Sequence, residues 1–190
     1  MSIVLFLGRD VKEYKQCSEN KIAQLLQSGD IRCEICTQPM ARHSSYGRRI
    51  QETGEEIKII MVWCGKCRKW HALLPDFLLP HKHYSGNEIE SVIIESATVL
   101  TNEIETEASE STVRRWVKQI GDRITRAVGI LKILFSHTGY PVSEVAINAG
   151  SCYNELEQLL EMAPFQKRYC GNKLGLANLW LGTNEIRAYI

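Results

Sequence analysis

The stretch VWCGKCRKWH, residues 62–71, contains two cysteines separated by two residues, with basic residues and two tryptophans close to them. An earlier stretch, RCEICTQP at residues 32–39, contains a second pair with the same spacing. A pair of this kind is typical of a redox couple, a structural disulfide or half of a metal site. The two pairs are Cys33 with Cys36 and Cys64 with Cys67, and 27 residues separate them.

Two such pairs favour a zinc ribbon, because each pair can supply two thiolates to one tetrahedral ion. The intervening segment exceeds the common spacing of about 15 to 20 residues, but residues 44–60 can fold out as a long hairpin. A redox pair is expected near a βαβ pattern, which neither pair has. We therefore predict one structural zinc ion bound by Cys33, Cys36, Cys64 and Cys67. Four thiolates leave no open position for a catalytic water.

The other thiols and two histidines are interpreted more simply. His43 and His71 follow the cysteine pairs and are alternative ligands, although a surface or packing role is the commoner one for a histidine beside a metal turn. The cysteines without a close partner are predicted to be small buried hydrophobic residues. They are Cys17, Cys152 and Cys170.

The cysteine count and the opening residues predict a cytoplasmic protein. Seven cysteines is an odd number, which fits poorly with the closed disulfide set of a secreted protein. MSIVLFLG, residues 1–8, is too short for a membrane span or a signal peptide core. We therefore expect reduced thiols and no membrane partner.

Length, a hydrophobic content of 44% and a charged content of 24% are typical of a soluble globular chain. Strands are expected at MSIVLFLG and EIKIIMVW, and turns at SSYGRR and ETGEE. Helices are expected over residues 18–29, from 86 toward 100, from Ser109 or Ser111 onward, briefly after Pro141, and over SCYNELEQLLEM. The predicted class is α+β, with a small zinc-ribbon hairpin region followed by a mainly helical region that contains a helix-turn-helix-like element. The predicted segments are 1–30, 31–84, 85–136 and 137–190.

Basic residues are concentrated in two places. Five are expected to project from the ribbon, namely Arg48, Arg49, Lys66, Arg68 and Lys69. In STVRRWVK, the residues Arg114, Arg115 and Lys118 lie on the polar side of a helix whose apolar side carries Trp116. Such a helix can present arginines to guanine edges in the major groove, so we predict double-stranded DNA as the partner.

Seven glutamates precede this helix within residues 88–110, without a single lysine or arginine. Acidic charge repels phosphate, so these residues count against a uniformly basic binding surface. They either face away from the nucleic acid or mask the basic helix through contacts within the protein.

The two cysteine pairs, the hairpin residues His43, Tyr46 and Arg48, the segment HALLPDFLLPHKHYS and the SESTVRRW helix together resemble a known module. It is the zinc-ribbon plus helix-turn-helix module of bacterial mobile elements, related to the N-terminal regions of insertion-sequence transposases and to an uncharacterised family in Firmicutes. The resemblance covers about residues 30–125. It implies that Cys33, Cys36, Cys64 and Cys67 hold zinc. It also implies that Thr112, Arg114, Arg115 and Lys118 read DNA.

These patterns predict a non-catalytic DNA-binding regulator or accessory subunit of a mobile element. The alternative is a zinc-stabilised adaptor that docks proteins through the basic helix and an apolar tail, or pairs with a second copy there. The tail residues are Leu174, Leu176, Leu179, Trp180 and Ile186. An enzyme is not expected, because the motifs of the common nucleotide, metalloprotease and serine-hydrolase sites are absent. The four aspartates are scattered, and about 65 residues after the module are too few for a nuclease domain.

Overall fold

The computed structural model describes residues 2–97, 100, 103–137, 152–162 and 172–183. The chain divides into two compact units, Met1–Ser85 and Gly86–Ile190. In the described residues, the first unit contains a sheet and one helix, and the second contains helices. The predicted α+β class is therefore confirmed. No helix in these ranges combines the length and the apolar character that crossing a membrane requires.

The first unit is organised around a four-stranded sheet. Its strands are β1 (Ser2–Leu5), β2 (Ala41–Arg49), β3 (Glu56–Cys64) and β4 (Lys69–Pro75). The strand order is β1-β4-β3-β2, with β1 parallel to β4 and the other neighbouring strands antiparallel. The predicted strands at MSIVLFLG and EIKIIMVW are confirmed.

The turn predicted at SSYGRR is wrong, because residues 44–49 lie inside β2 and pair with β3. Strand β2 is at the edge of the sheet, and nearly all its side chains are exposed. An exposed edge strand carries the polar residues that turns also favour, so composition alone does not separate the two. The reversal of the chain lies farther on, at residues 51–55, in agreement with the turn predicted at ETGEE.

Helix α1 (Val11–Ser28) begins seven residues before the predicted start at Ser18, which is buried inside the helix. Asp10 is the N-cap, and its carboxylate accepts a hydrogen bond of 2.8 Å from the backbone N–H of Glu13. The predicted end is correct, because Gly29 caps the helix with a left-handed φ of 73°. The helix is attached to β3 by a 2.7 Å hydrogen bond from the Tyr14 hydroxyl to the Lys58 carbonyl.

The second unit contains four described helices. They are α2 (Gly86–Glu95), α3 (Glu110–His137), α4 (Cys152–Met162) and α5 (Lys173–Thr183). Helix α2 ends before the predicted Leu100, with the Ser96 hydroxyl bonded to the Ile93 carbonyl in its last turn. The predicted amphipathic character of α3 is confirmed, because Val113, Trp116 and Ile120 are buried. A short helix predicted after Pro141 lies outside the described residues.

Candidate metal centre and nucleic-acid interface

The four predicted ligands converge on one point beside the end of β3. Their sulfur atoms all lie within 4.8 Å of one another, and Cys36 Sγ is 3.5 Å from Cys64 Sγ. A disulfide would bring two sulfurs to about 2.05 Å. Sulfurs bound at about 2.3 Å to one tetrahedral zinc ion are about 3.8 Å apart. The spacing is that of a four-sulfur metal site, and these cysteines could hold a metal ion.

Backbone amides point at the first sulfur of each pair. The N–H of Ile35 donates to Cys33 Sγ at 3.5 Å, and the N–H of Cys67 donates to Cys64 Sγ at 3.4 Å. Hydrogen bonds to the charged form of a group favour that form. Both turns thus place a backbone donor at a sulfur, and the thiolate, which such donors favour, is the form of cysteine that binds metals.

The backbone repeats one unusual feature after each pair. Thr37 follows Cys36 with a φ of 59°, and Arg68 follows Cys67 with a φ of 52°. Residues with a Cβ rarely adopt this left-handed conformation, which costs roughly 1 to 2 kcal/mol. The two cysteine turns therefore share the same backbone conformation directly after their second cysteine.

The four thiols are partly or fully shielded from solvent, and their crowding raises the pKa of one of them. Cys33 and Cys64 are buried, whereas Cys36 and Cys67 are half-buried. Contact with the Cys36 thiol, followed by desolvation and the two other thiols, raises the pKa of Cys67 to about 12. A coordinated metal ion reverses such a shift, because it stabilises the thiolate. Tetrahedral four-sulfur sites suit zinc or iron.

The two alternative histidine ligands lie outside the sulfur cluster. His71 in β4 is fully buried, and its Nε2 atom is 3.7 Å from Cys33 Sγ. The group of ligand atoms that all lie within 4.8 Å of one another consists of the four sulfurs and does not include His71. The ring of His43 packs on Trp70 with a centroid distance of 3.9 Å. The contact between His71 and Cys33 was not predicted, and no spacing in the sequence indicates it.

The remaining cysteines differ from their predicted burial. Cys17 is half-buried, and Cys152 is exposed, so the prediction of a buried residue is wrong for Cys152. The Cys152 sulfur accepts a hydrogen bond of 3.2 Å from the Thr125 hydroxyl at the surface. Cys170 lies outside the described residues.

Four of the five basic residues predicted on the ribbon are exposed, namely Arg49, Lys66, Arg68 and Lys69. Within the described part of the chain, none of these four forms an ion pair with a carboxylate. Lys66 and Arg68 lie in the turn that holds Cys64 and Cys67, and Lys69 begins β4 directly after it. Their backbone positions are therefore set by the same turn that supplies half of the cysteine cluster.

The prediction that Arg48 projects from the ribbon is wrong. Only 8% of this residue is exposed. Its Nη2 atom donates to the Leu79 carbonyl at 3.1 Å and also to the Lys82 carbonyl. Arg48 therefore fastens the segment that follows β4 to the edge of the sheet.

The basic residues of α3 lie on its exposed side. Arg114 and Lys118 are one turn apart, and the ridge continues through Asp122 to Arg126, all of them exposed. Arg114 forms an ion pair of 2.6 Å with Glu110, and both side chains are about half exposed or more. Arg115 approaches the hydroxyl of the half-buried Thr112 at 3.5 Å.

Some of the preceding glutamates make contacts inside the second unit. Glu88 accepts a hydrogen bond from the Thr106 hydroxyl, and Glu90 accepts one of 2.9 Å from the Leu174 N–H. Glu110, the last of these glutamates, forms the ion pair with Arg114, which is one of the predicted DNA-reading residues.

The connection between α2 and α3 comprises residues 96–109. The turn of a helix-turn-helix motif is usually three or four residues long. The helix-turn-helix therefore stays a prediction. In the apolar tail, Leu174 and Leu176 are buried, and the side chains of Leu179, Trp180 and Ile186 lie outside the described ones.

Residues 33–116 match a family described as a domain of unknown function, DUF6431. The matched region begins at the first cysteine of the metal centre and ends at the buried Trp116 of α3. No curated protein and no solved structure matches the chain.

Proposed function

We propose that the chain is a zinc-stabilised, non-catalytic DNA-binding protein. The observation that carries this proposal is the position of Lys66, Arg68 and Lys69. They are exposed on and beside the turn that supplies two of the four sulfurs, without ion pairs to described carboxylates. Cations that are fixed and uncompensated attract a polyanion, and they lose less side-chain freedom on binding than cations on a mobile loop.

Zinc is the proposed metal because all four ligands are thiolates in a closed site. A structural zinc ion contributes about 10 kcal/mol or more of apparent binding energy to a small domain. That is comparable with the whole stability of many domains. The metal thus supplies the rigidity on which the positions of the ribbon cations depend.

The basic ridge of α3 is the proposed second contact with double-stranded DNA, through Arg114, Arg115 and Lys118. The ion pair of Arg114 with Glu110 is exposed, and such pairs are worth about 1 kcal/mol or less. Arg114 can therefore exchange this carboxylate for a phosphate or a guanine edge at little cost. A regulatory or accessory role in a mobile element rests on the resemblance of the cysteine pairs and the SESTVRRW helix to that module.

The test is duplex DNA binding measured by fluorescence anisotropy between about 50 and 200 mM salt, where phosphate contacts lose affinity steeply. The variant combines Lys66→Ala, Arg68→Gly and Lys69→Ala, with glycine chosen because position 68 has a positive φ. The matched control removes three charges from α1 through Lys12→Ala, Lys15→Ala and Lys21→Ala.

We expect the ribbon variant to bind duplex DNA more weakly than the parent protein. The slope of its log affinity against log salt concentration should fall by about one unit for each lost phosphate contact. The control should bind nearly as the parent protein does. Arg114→Ala with Arg115→Ala should also weaken binding without unfolding the protein. Absence of binding at low salt would contradict the proposal and favour the protein-interaction adaptor.

A further inference from the structure

The first unit contains a cleft of about 610 Å³ away from the metal centre. Its floor is the sheet, because Ser2, Ala72 and Met61 are paired across β1, β4 and β3 and all three line the cleft. Residues 81–83, which follow β4, form a wall, and Tyr46 and Arg48 of β2 contribute on the opposite side. A volume of several hundred Å³ is the usual size of a site for a small ligand.

The charge of this cleft has one sign. The charged side chains that line it are Arg48, Arg49 and Lys82, accompanied by His81 and His83. Among the described residues that line it, none is acidic. A concave site lined by charges of one sign concentrates ligands of the opposite sign, so the cleft favours an anion.

Arg48 gives the strongest indication of what the anion is. It is 8% exposed, and in the described part of the chain no carboxylate lies within ion-pair distance of its guanidinium. A buried charge without a counter-charge is costly. Its Nη2 atom donates to two backbone carbonyls, and the guanidinium also forms a hydrogen bond with the side chain of Tyr46. Because a guanidinium has five N–H donors, it retains donors for a ligand. Arginine donors match the oxygens of phosphate in pairs.

Tyr46 supplies an aromatic surface beside this cation. It is 43% exposed and lines the cleft, whereas large aromatic residues are more often packed inside. A base can stack on an exposed aromatic ring whatever its sequence. Met61, Ala72 and Leu74 make the floor apolar, which suits the flat face of a base better than it suits a lone inorganic ion.

From these observations we infer that the cleft binds a nucleoside phosphate, with the phosphate on Arg48 and Lys82 and the base on Tyr46. The nucleotide is either free or part of a single strand. A strand could continue along the same face, because Trp63 lies two residues beyond Met61 in β3 and Trp70 two residues before Ala72 in β4. The two tryptophan rings are 4.3 Å apart, and Trp70 is 42% exposed.

The test is isothermal titration of the full zinc-loaded chain with adenosine monophosphate, adenosine, inorganic phosphate and single-stranded oligodeoxythymidine. We expect the monophosphate to bind and adenosine to bind at least tenfold more weakly. An oligonucleotide affinity well above that of the mononucleotide, reduced by Trp70→Ala, identifies a strand as the source. Equal affinities, unaffected by Trp70→Ala, identify a free nucleotide.

Variants that leave the fold intact make the inference falsifiable. Tyr46→Ser should weaken the monophosphate roughly 5- to 150-fold, the usual range for losing one stacked base. Phe6→Ser is its control, because Phe6 is 42% exposed and does not line the cleft. Lys82→Ala should weaken the monophosphate on the order of tenfold, with Lys12→Ala as control. Binding by Arg48→Met is measured only if this variant folds, because Arg48 also donates to the carbonyls of Leu79 and Lys82 in the segment that follows β4.

Failure of every phosphate-bearing ligand to bind the folded protein would overturn the inference, as would adenosine binding as tightly as its monophosphate. The cleft does not include Lys66, Arg68 or Lys69, and the mononucleotide has no duplex. The ribbon variant with these three cations removed should therefore bind the monophosphate normally. Loss of duplex binding and loss of mononucleotide binding are thus separate outcomes.

Discussion

The Nε2 atom of His71 lies 3.7 Å from the sulfur of Cys33, and 38 residues of chain connect the two. Both residues are buried, and the Nδ1 atom of His71 has no hydrogen-bond partner among the described residues. Desolvation by burial is the largest of the causes that lower the pKa of His71, which favours the neutral form of the ring. A neutral ring with its proton on Nε2 can donate to the Cys33 thiolate.

Replacement of His71 by leucine tests this relationship. His71→Leu should keep one metal ion per chain but weaken metal affinity by about 10- to 100-fold, the usual effect of losing a partner of a ligand. Affinity is measured by competition with a chelator. His43→Leu is the control, because this ring packs on Trp70 and not on a sulfur. Equal affinities of the two variants would show that the contact of His71 with Cys33 does not support the metal.

Removal of the metal should unfold the first unit. The four sulfurs lie within 4.8 Å of one another, and a bound metal ion would join the two cysteine turns to each other. We expect native mass spectrometry to give one zinc ion per chain. Chelation or Cys64→Ser should abolish the strand signal in circular dichroism, because the metal contributes about 10 kcal/mol or more. Cys152→Ser removes an exposed thiol and should change neither measurement. A metal-free chain that keeps its full fold contradicts the site.

The strained turn at Thr37 gives a prediction about stability. Glycine adopts a positive φ without the clash that costs other residues roughly 1 to 2 kcal/mol, but loses more entropy on folding. Both Thr37→Gly and Thr37→Ala lose the 2.8 Å hydrogen bond from the Thr37 hydroxyl to the Cys36 carbonyl, but only alanine also keeps the strain. Thr37→Gly should therefore change the unfolding free energy by less than about 1 kcal/mol, and Thr37→Ala should be the less stable of the two. Urea unfolding of the two zinc-loaded variants measures this difference in unfolding free energy, and an alanine variant at least as stable as the glycine variant would contradict the prediction.

The cluster of four cysteines was predictable because it depends on local spacing. The two CxxC motifs identify the four candidate ligands in the sequence, whatever the length of the hairpin between them. The surroundings were not predictable in this way. Arg48 is buried because it binds carbonyls 31 and 34 residues later in the chain. His71 reaches Cys33 only because β4 pairs with β3 beside the first cysteine turn. Such contacts depend on tertiary structure, and a basic residue on an edge strand looks solvent-facing in the sequence.

The start of α1 also could not be predicted from the sequence, although helix capping is a local feature. Two capping signals occur in this segment, Asp10 followed by Glu13 and Ser18 followed by later polar residues. The first is used, with hydrogen bonds from the Glu13 N–H to Asp10 and from the Arg9 N–H to Glu13. The sequence does not rank the two signals. The burial of Tyr14 against the sheet favours the longer helix.

The ion pairs of Glu19 predict a small and salt-sensitive effect. Hydrogen bonds from Arg42 and from Lys58 lower the pKa of Glu19 from 4.5 to about 2. The carboxylate therefore stabilises the fold fully above pH 4.5, and this contribution is lost as the pH falls toward about 2. Because the side chain of Glu19 is 45% exposed, Glu19→Gln should cost less than about 1 kcal/mol at pH 7. This loss of unfolding free energy should be smaller in high salt. An equal loss at low and high salt would contradict the attribution of the effect to the ion pairs of Glu19.

Two glycines of the second unit should respond to alanine in opposite directions. A Cβ at Gly86 would lie 2.6 Å from the side chain of Asn172, which is buried and accepts a 2.6 Å hydrogen bond from the Gly175 N–H at the start of α5. Gly86→Ala must displace this cap, so it should lower the unfolding free energy by about 1 to 3 kcal/mol. At Gly121, inside α3, a Cβ meets nothing within 4 Å, and alanine should stabilise by about 0.5 to 1 kcal/mol. Urea unfolding measures both, and a Gly86→Ala protein as stable as the parent would show that Asn172 moves aside freely.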